Sequence, residues 1–148
     1  MASPDEWFNG TLEAFRSGKL AAYVVFDLGL SPRLGIHRLP RAQMMMPQSV
    51  IRKAIAKHSI DLTLLQNLPS VISDPVRIFL SATEANSFVF QLKLVSNQEA
   101  LVAAMEYCRH ADFGMAYLVK SIHPRLRDHF SRWEERGLLL FERKENAK

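Results

Sequence analysis

One cysteine, Cys108, stands among 148 residues. It excludes an internal disulfide and a cysteine-based zinc site, so the chain is not a disulfide-stapled secreted scaffold, although passage through an export machine stays open. No apolar run approaches the roughly 18 residues that a membrane span requires. The N-terminal Met-Ala-Ser-Pro-Asp-Glu-Trp lacks the positively charged region of a secretory signal. With only six glycines, the chain offers no Gly-rich phosphate loop, and it carries no internal repeat. Its five histidines, His37, His58, His110, His123 and His129, form no His-x-x-x-His pair and have no suitably spaced carboxylates. Neither a metal nor another cofactor is expected.

What is present suits one compact unit: 48% of the residues are hydrophobic and 23% charged. A domain of this length removes roughly 68–70% of its unfolded surface from water, enough to fold without disulfides or a structural metal. Lys and Arg number 19 against 15 Asp and Glu, a net charge of +4. That is a modest bias toward anionic partners, informative only where the charges cluster.

Hydrophobic spacing divides the chain. Trp7, Phe8, Leu12 and Phe15 mark a short amphipathic helix over 5–17, closed by Gly18. Ala22 to Leu28 reads as a strand. Gly29 to Met46, with Pro32, Gly35, Pro40 and the triplet Met44-Met45-Met46, reads as an irregular connection. The triplet is expected to fill space against the core, with an adaptable contact surface as the other reading. From Pro47, the residues Val50, Ile51, Ala54 and Ile55 define a helix over 48–57. Asp61 caps a second helix over 61–67.

The period then changes from helix to strand. Val76, Ile78 and Leu80 alternate with polar and outward positions, and Phe88, Phe90, Leu92 and Leu94 do so after a polar turn. Leu101 to Tyr107 and Met115 to Ile122 supply two more strands, joined by connections short enough for an antiparallel meander. After Pro124, Leu126, Phe130 and Trp133 return to helical spacing over 124–136. Gly137 stops that helix, and Leu138 to Phe141 forms a final short strand. The expected fold is α+β: N-terminal helices, a four-stranded antiparallel meander between 75 and 123, and a C-terminal helix. Residues 1–46 and 47–148 are its two parts, read as one globular unit.

Lys57-His58, Leu65, Leu68-Pro69, Asp74-Pro75-Val76, Ile78-Phe79 and Ser81, then Val119-Lys120-Ser121-Ile122, Trp133 and Gly137-Leu138-Leu139, form an ordered string over about residues 25–145. It resembles the C-terminal domain of phage MuF-type head proteins, within the phage-associated relatives of barnase, EndoU, colicin D and RelE. Where that family usually carries Tyr-Gly-Lys, this chain has His123-Pro124-Arg125. The resemblance implies a barnase/RelE-like domain over 47–148 that acts as a metal-independent ribonuclease. It further implies a toxin acting in the bacterial cytoplasm, secreted, injected or carried on a phage particle, and held by a cognate immunity protein or antitoxin. RNA, with tRNA among the targets, is the expected substrate. The alternative is a catalytically silent phage or prophage domain that binds a protein partner or nucleic acid.

Metal-free RNA cleavage needs a base for the 2′-hydroxyl proton, an acid for the leaving 5′-oxygen, and donors for the charge that develops on phosphate. His58, at the end of a helix face, is the candidate base, with a structural core histidine as the competing reading. Ser121 is placed to donate to a phosphate oxygen, with Ser81 on a neighbouring surface. Strand alternation assigns Ser121 to the face of Tyr117 and Val119 and Lys120 to the opposite one. Arg125, His129, Arg132 and Arg136 recur at spacings of four, three and four along one face of the last helix, a track for an RNA backbone or a solvated basic face. The catalytic candidates are therefore His58, Ser121 and Arg125. Lys57, Ser81, Lys120, His129, Arg132 and Arg136 are the RNA-binding candidates, and Trp133 is read as a core anchor.

Overall fold

The computed structural model describes residues 3–17, 25–30, 40–112 and 114–143; Gly18, His37 and the predicted strand start at 22–24 lie outside them. The order is α1 (Pro4–Arg16), β1 (Val25–Leu30), β2 (Gln43–Pro47), α2 (Gln48–Ala56), α3 (Leu62–Leu65) and α4 (Leu68–Ser73). There follow β3 (Arg77–Leu80), β4 (Ser87–Leu94), β5 (Glu99–His110), β6 (Gly114–Leu126), α5 (Asp128–Glu135) and β7 (Leu139–Glu142).

The expected four-stranded antiparallel meander is incorrect: the described strands form one seven-stranded mixed sheet in the order β1-β2-β6-β5-β4-β3-β7. β3 to β6 pair antiparallel in succession, but β2 lies parallel to β6 through Met44↔Tyr117 and Met45↔Leu118 and carries β1 antiparallel on its other side. β7 closes the far edge against β3. The methionine triplet reads as a connection in the sequence because methionine has little strand preference and no polar residue alternates with it. Its pairing comes from two distant segments, and Met44 and Met46 are wholly buried.

The sheet has two unlike faces. One packs under α1 to α4 and holds the main core, with Phe8, Phe26, Met46, Ile51, Leu65, Phe90, Leu101 and Tyr117 among its members. The other carries a small cluster of Phe79, Ala100, Val102 and Phe130, against which Val89, Trp133 and Leu139 pack, so α5 stands on this face. Strand alternation distributes the residues: Ile78 faces one side and Phe79 the other, as do Leu101 and Val102.

α1 is tied to α4 by polar contacts as well as by its apolar face. Asn9 Nδ2 donates to Asn67 Oδ1 at 2.8 Å and Asn67 N donates back to Asn9 Oδ1 at 2.8 Å. Asn67 takes a left-handed backbone there (φ +60°), which asparagine tolerates better than most residues.

Two corrections in β6 shape the site. The strand runs through Pro124 to Leu126, so the predicted helix start at 124 is replaced by a strand end, and α5 begins only at Asp128. β2 pairs with β6 only at residues 117 and 118. Among the described residues the far half of β6 therefore has no strand on that side, and a proline without an N–H is accommodated at that edge. The second correction is a β-bulge. Ala104 pairs with Ser121 and Met105 with Val119, leaving Lys120 as an extra residue. Tyr117, Val119 and Ile122 consequently all reach the main core, and the bulge puts Lys120 and Ser121 together on the opposite face.

Candidate active site

Three residues at alternate positions of β6, Ser121, His123 and Arg125, project from the α5 face. Ser121 Oγ lies 3.1 Å from His123 Nδ1, and Arg125 Nη2 lies 3.3 Å from His123 Nε2. The other terminal nitrogen, Arg125 Nη1, lies 3.1 Å from Nδ1 of His129 in the first turn of α5. A guanidinium only donates. Nε2 of His123 must therefore accept, which leaves the proton of the neutral ring on Nδ1, where it is donated to Ser121 Oγ. By the same reasoning Nδ1 of His129 accepts, and the Ser121 hydroxyl hydrogen stays free to be donated outward.

The electrostatics follow from this geometry. Burial, then the Arg125 charge, then neighbouring His58, push His123 down to about 4. His129 is lowered by burial, then by Arg125 and Arg132, with Asp128 opposing. Arg125 is part-buried, and its Nε is enclosed without a hydrogen-bond partner. Its guanidinium carbon lies 5.3 Å from the centre of the Trp133 ring. Among the described residues no carboxylate pairs with it. A guanidinium held by two neutral imidazoles and an indole keeps its whole charge available to an anion.

His58 reaches the same group from the main-core side. It follows the C-terminus of α2 in a turn, and its ring centre lies 5.4 Å from that of His123. Neither of its ring nitrogens is engaged in a hydrogen bond among the described residues. The open edge of β6 is what gives α2 this access.

A cavity of about 400 Å³ opens beside the cluster, with Lys120, Ser121, His123 and Arg125 on one wall and the β3–β4 loop, including Ser81 and Glu84, on the other. A larger hollow of about 630 Å³, lined by Arg77, Arg127, Asp128 and Glu134 among others, contains none of these groups. Its charges are mixed and balanced, so the smaller cavity is the better candidate.

The chain thus brings His58, Ser121, Arg125 and His129 into one constellation. Lys120 lines the same cavity, contrary to simple alternation, and is paired with Glu106 at 3.4 Å. The Ser81 hydroxyl sits across the cavity and accepts from the backbone N–H groups of Thr83 and Glu84. Lys57, Arg132 and Arg136 are exposed around the cluster rather than in it. Arg125 lies on the strand and not on the helix, so the basic stripe of α5 is His129, Arg132 and Arg136 alone. Trp133 packs edge-on to Phe79 and Phe130 and also lies beneath Arg125. Among the described residues, no group of three or more His, Cys, Asp or Glu is arranged to hold a metal ion, and no helix is long and apolar enough to cross a membrane.

The residue that sequence reasoning misses is His123. Its signal is the alternation Ser121-x-His123-x-Arg125, hidden because Pro124 reads as the end of a strand.

The family model for the phage MuF-C-terminal domain matches residues 49–148. The chain belongs to this phage family. The matched span holds every residue of the constellation, while α1, β1 and β2 precede it, so this MuF C-terminal domain is completed here by an N-terminal layer that supplies part of its sheet. Searches among curated proteins and solved structures gave no match.

Proposed function

We propose that this MuF C-terminal domain is a metal-independent endoribonuclease that cleaves RNA by attack of a 2′-hydroxyl on the adjacent phosphate. The observation that carries the reading is an uncompensated, braced guanidinium, Arg125, on the cavity wall, linked through His123 to His58, a histidine whose ring nitrogens are uncommitted among the described residues. His58 takes the 2′-hydroxyl proton. Arg125 holds the phosphate oxygens, and Ser121, its oxygen already satisfied by His123, donates its free hydrogen to the charge that develops there. The products are a 2′,3′-cyclic phosphate and a 5′-hydroxyl. Such an activity inside a bacterial cell requires restraint, and a cognate immunity protein or antitoxin covering this cavity fits that need.

The test is expression in bacteria of the native chain and of His58→Ala, with sequencing of the RNA ends produced. The native chain should arrest growth and leave cyclic-phosphate ends, its purified form should cleave in EDTA, and folded His58→Ala should do neither. RNA binding without cleavage by the native chain would identify a silent binding domain instead.

A further inference from the structure

The cleavage scheme leaves one role open, the acid that protonates the departing 5′-oxygen. In the free protein Nδ1 of His129 accepts a hydrogen bond from Arg125, and a nitrogen that accepts cannot at the same time hold a proton. The groups facing His129 are Arg125 from β6, and Arg132, Asp128 and Trp133 from its own helix. Two are cationic and only Asp128 is acidic.

We propose that seating a phosphodiester on Arg125 turns the guanidinium away from His129 and so makes His129 protonatable, giving the site its acid only when substrate is bound. This deepens the phosphate role given to Arg125 above and rests on it. The geometry supplies the reason. The fork of Arg125 now spends Nη1 and Nη2 on two imidazoles and leaves Nε enclosed without a partner. A phosphate offers it oxygen acceptors that bind a guanidinium bidentately and more strongly than neutral nitrogen does. Once Nη1 moves to phosphate, Nδ1 of His129 is released. The anion cancels the positive field, and the imidazolium that forms donates to phosphate or to the leaving oxygen. The balance is simple. One proton is taken up from solvent on binding and passed to the 5′-oxygen as the P–O bond breaks, while His58 receives the 2′-hydroxyl proton. His123 stays neutral and goes on holding Ser121.

Linkage makes the idea measurable without any cleavage: if phosphodiester binding raises the affinity of His129 for a proton, acid must raise the affinity for phosphodiester by the same factor. The probe is a 2′-O-methyl dinucleotide, which cannot be cleaved and stays singly charged across the range. Dimethyl phosphate serves as the arm without nucleosides. Binding of the dinucleotide should tighten about tenfold between pH 7.5 and 5.5, a coupling of ordinary size, and the His129 ring resonances should titrate at higher pH when it is bound. His129→Gln, at a part-buried position, should lose most of this pH dependence, and Arg125→Lys should lose the coupling. Pure phosphate recognition gives the same coupling with dimethyl phosphate, whereas a strand-specific seat shows it only with the dinucleotide. Binding that leaves the His129 titration unmoved overturns the proposal. So does an unchanged pH dependence in His129→Gln. Coupled binding by a chain that does not cleave RNA would sink the ribonuclease reading and leave the anion seat standing.

Discussion

Burying His123 between Arg125 and His58 gives the fold a pH window. An unfolded histidine titrates near 6.5, whereas this one is held near 4. Between those values the unfolded chain binds the extra proton and the folded chain does not, so stability falls as pH drops through about 6.5 to 4 and is insensitive to this group outside that window. Thermal melts at pH 7 and 4.5 should show a larger loss for the native chain than for His123→Gln, whose amide does not titrate there. An equal loss in both would mean that acid sensitivity comes from other groups. At Arg125 the expectation is electrostatic. Arg125→Ala and Arg132→Ala should each weaken RNA binding, and removing a cation that sits on a phosphate should reduce the salt slope by about one unit. Fluorescence anisotropy with RNA over a salt series checks this. An unchanged slope in Arg132→Ala alone would leave Arg125 as the phosphate ligand and Arg132 as a solvated charge. Ser121, Arg125 and His58 are legible in the sequence because each is a residue type that phosphate chemistry needs. His123 is not, because its role depends on strand alternation continuing across a proline.

Lys120 shows how a single extra residue on a strand builds a site. Without the bulge, the alternation that sends Tyr117 and Val119 into the core would send Ser121 there too and turn Ile122 out. Deleting Lys120 removes that extra residue and leaves Val119 opposite Met105 and Ser121 opposite Ala104 in unbroken alternation, so it should cost little more stability than Lys120→Ala, which removes only a part-exposed pair with Glu106. Urea titration of the two variants checks this; a much lower midpoint for the deletion would mean that the bend of the bulge itself holds the strand. No one-dimensional pattern announces a bulge, since a three-residue gap between core positions reads equally well as the start of a turn. By contrast α2 and strands β3 to β5 lie close to where periodicity predicts them, because each carries its own apolar face. β2 carries none, and its place is decided by β1 and β6.

For the molecule as a whole, the family match begins at residue 49, but the sheet does not. β1 and β2 bring Phe26, Leu28, Met44 and Met46 into the main core, and α1 adds Phe8 and Leu12. A chain shortened to residues 48–148 lacks these and uncovers the β6 backbone at residues 117 and 118. It should be poorly folded and prone to associate through that edge. Size-exclusion chromatography and circular dichroism of the shortened chain give the answer, and a monomeric, cooperatively melting product would show that the N-terminal layer is dispensable. The mixed topology escapes sequence reading for a related reason. A parallel pair two residue positions long leaves almost no signature in either strand, yet it fixes which side of β6 stays open for His58.

The unequal faces of the sheet carry a consequence for motion. Among the described residues four helices anchor one face, while the other is held by Phe79, Ala100, Val102 and Phe130 with three flanking side chains. Helix α5 therefore has a thin attachment. It should lift away in brief excursions that leave the sheet intact, as a separate cooperative unit. Amide hydrogens of α5 should then exchange with deuterium well before those of β5. Each excursion carries His129 and Trp133 off Arg125 together, so the constellation dissolves and reassembles many times within the lifetime of one folded molecule.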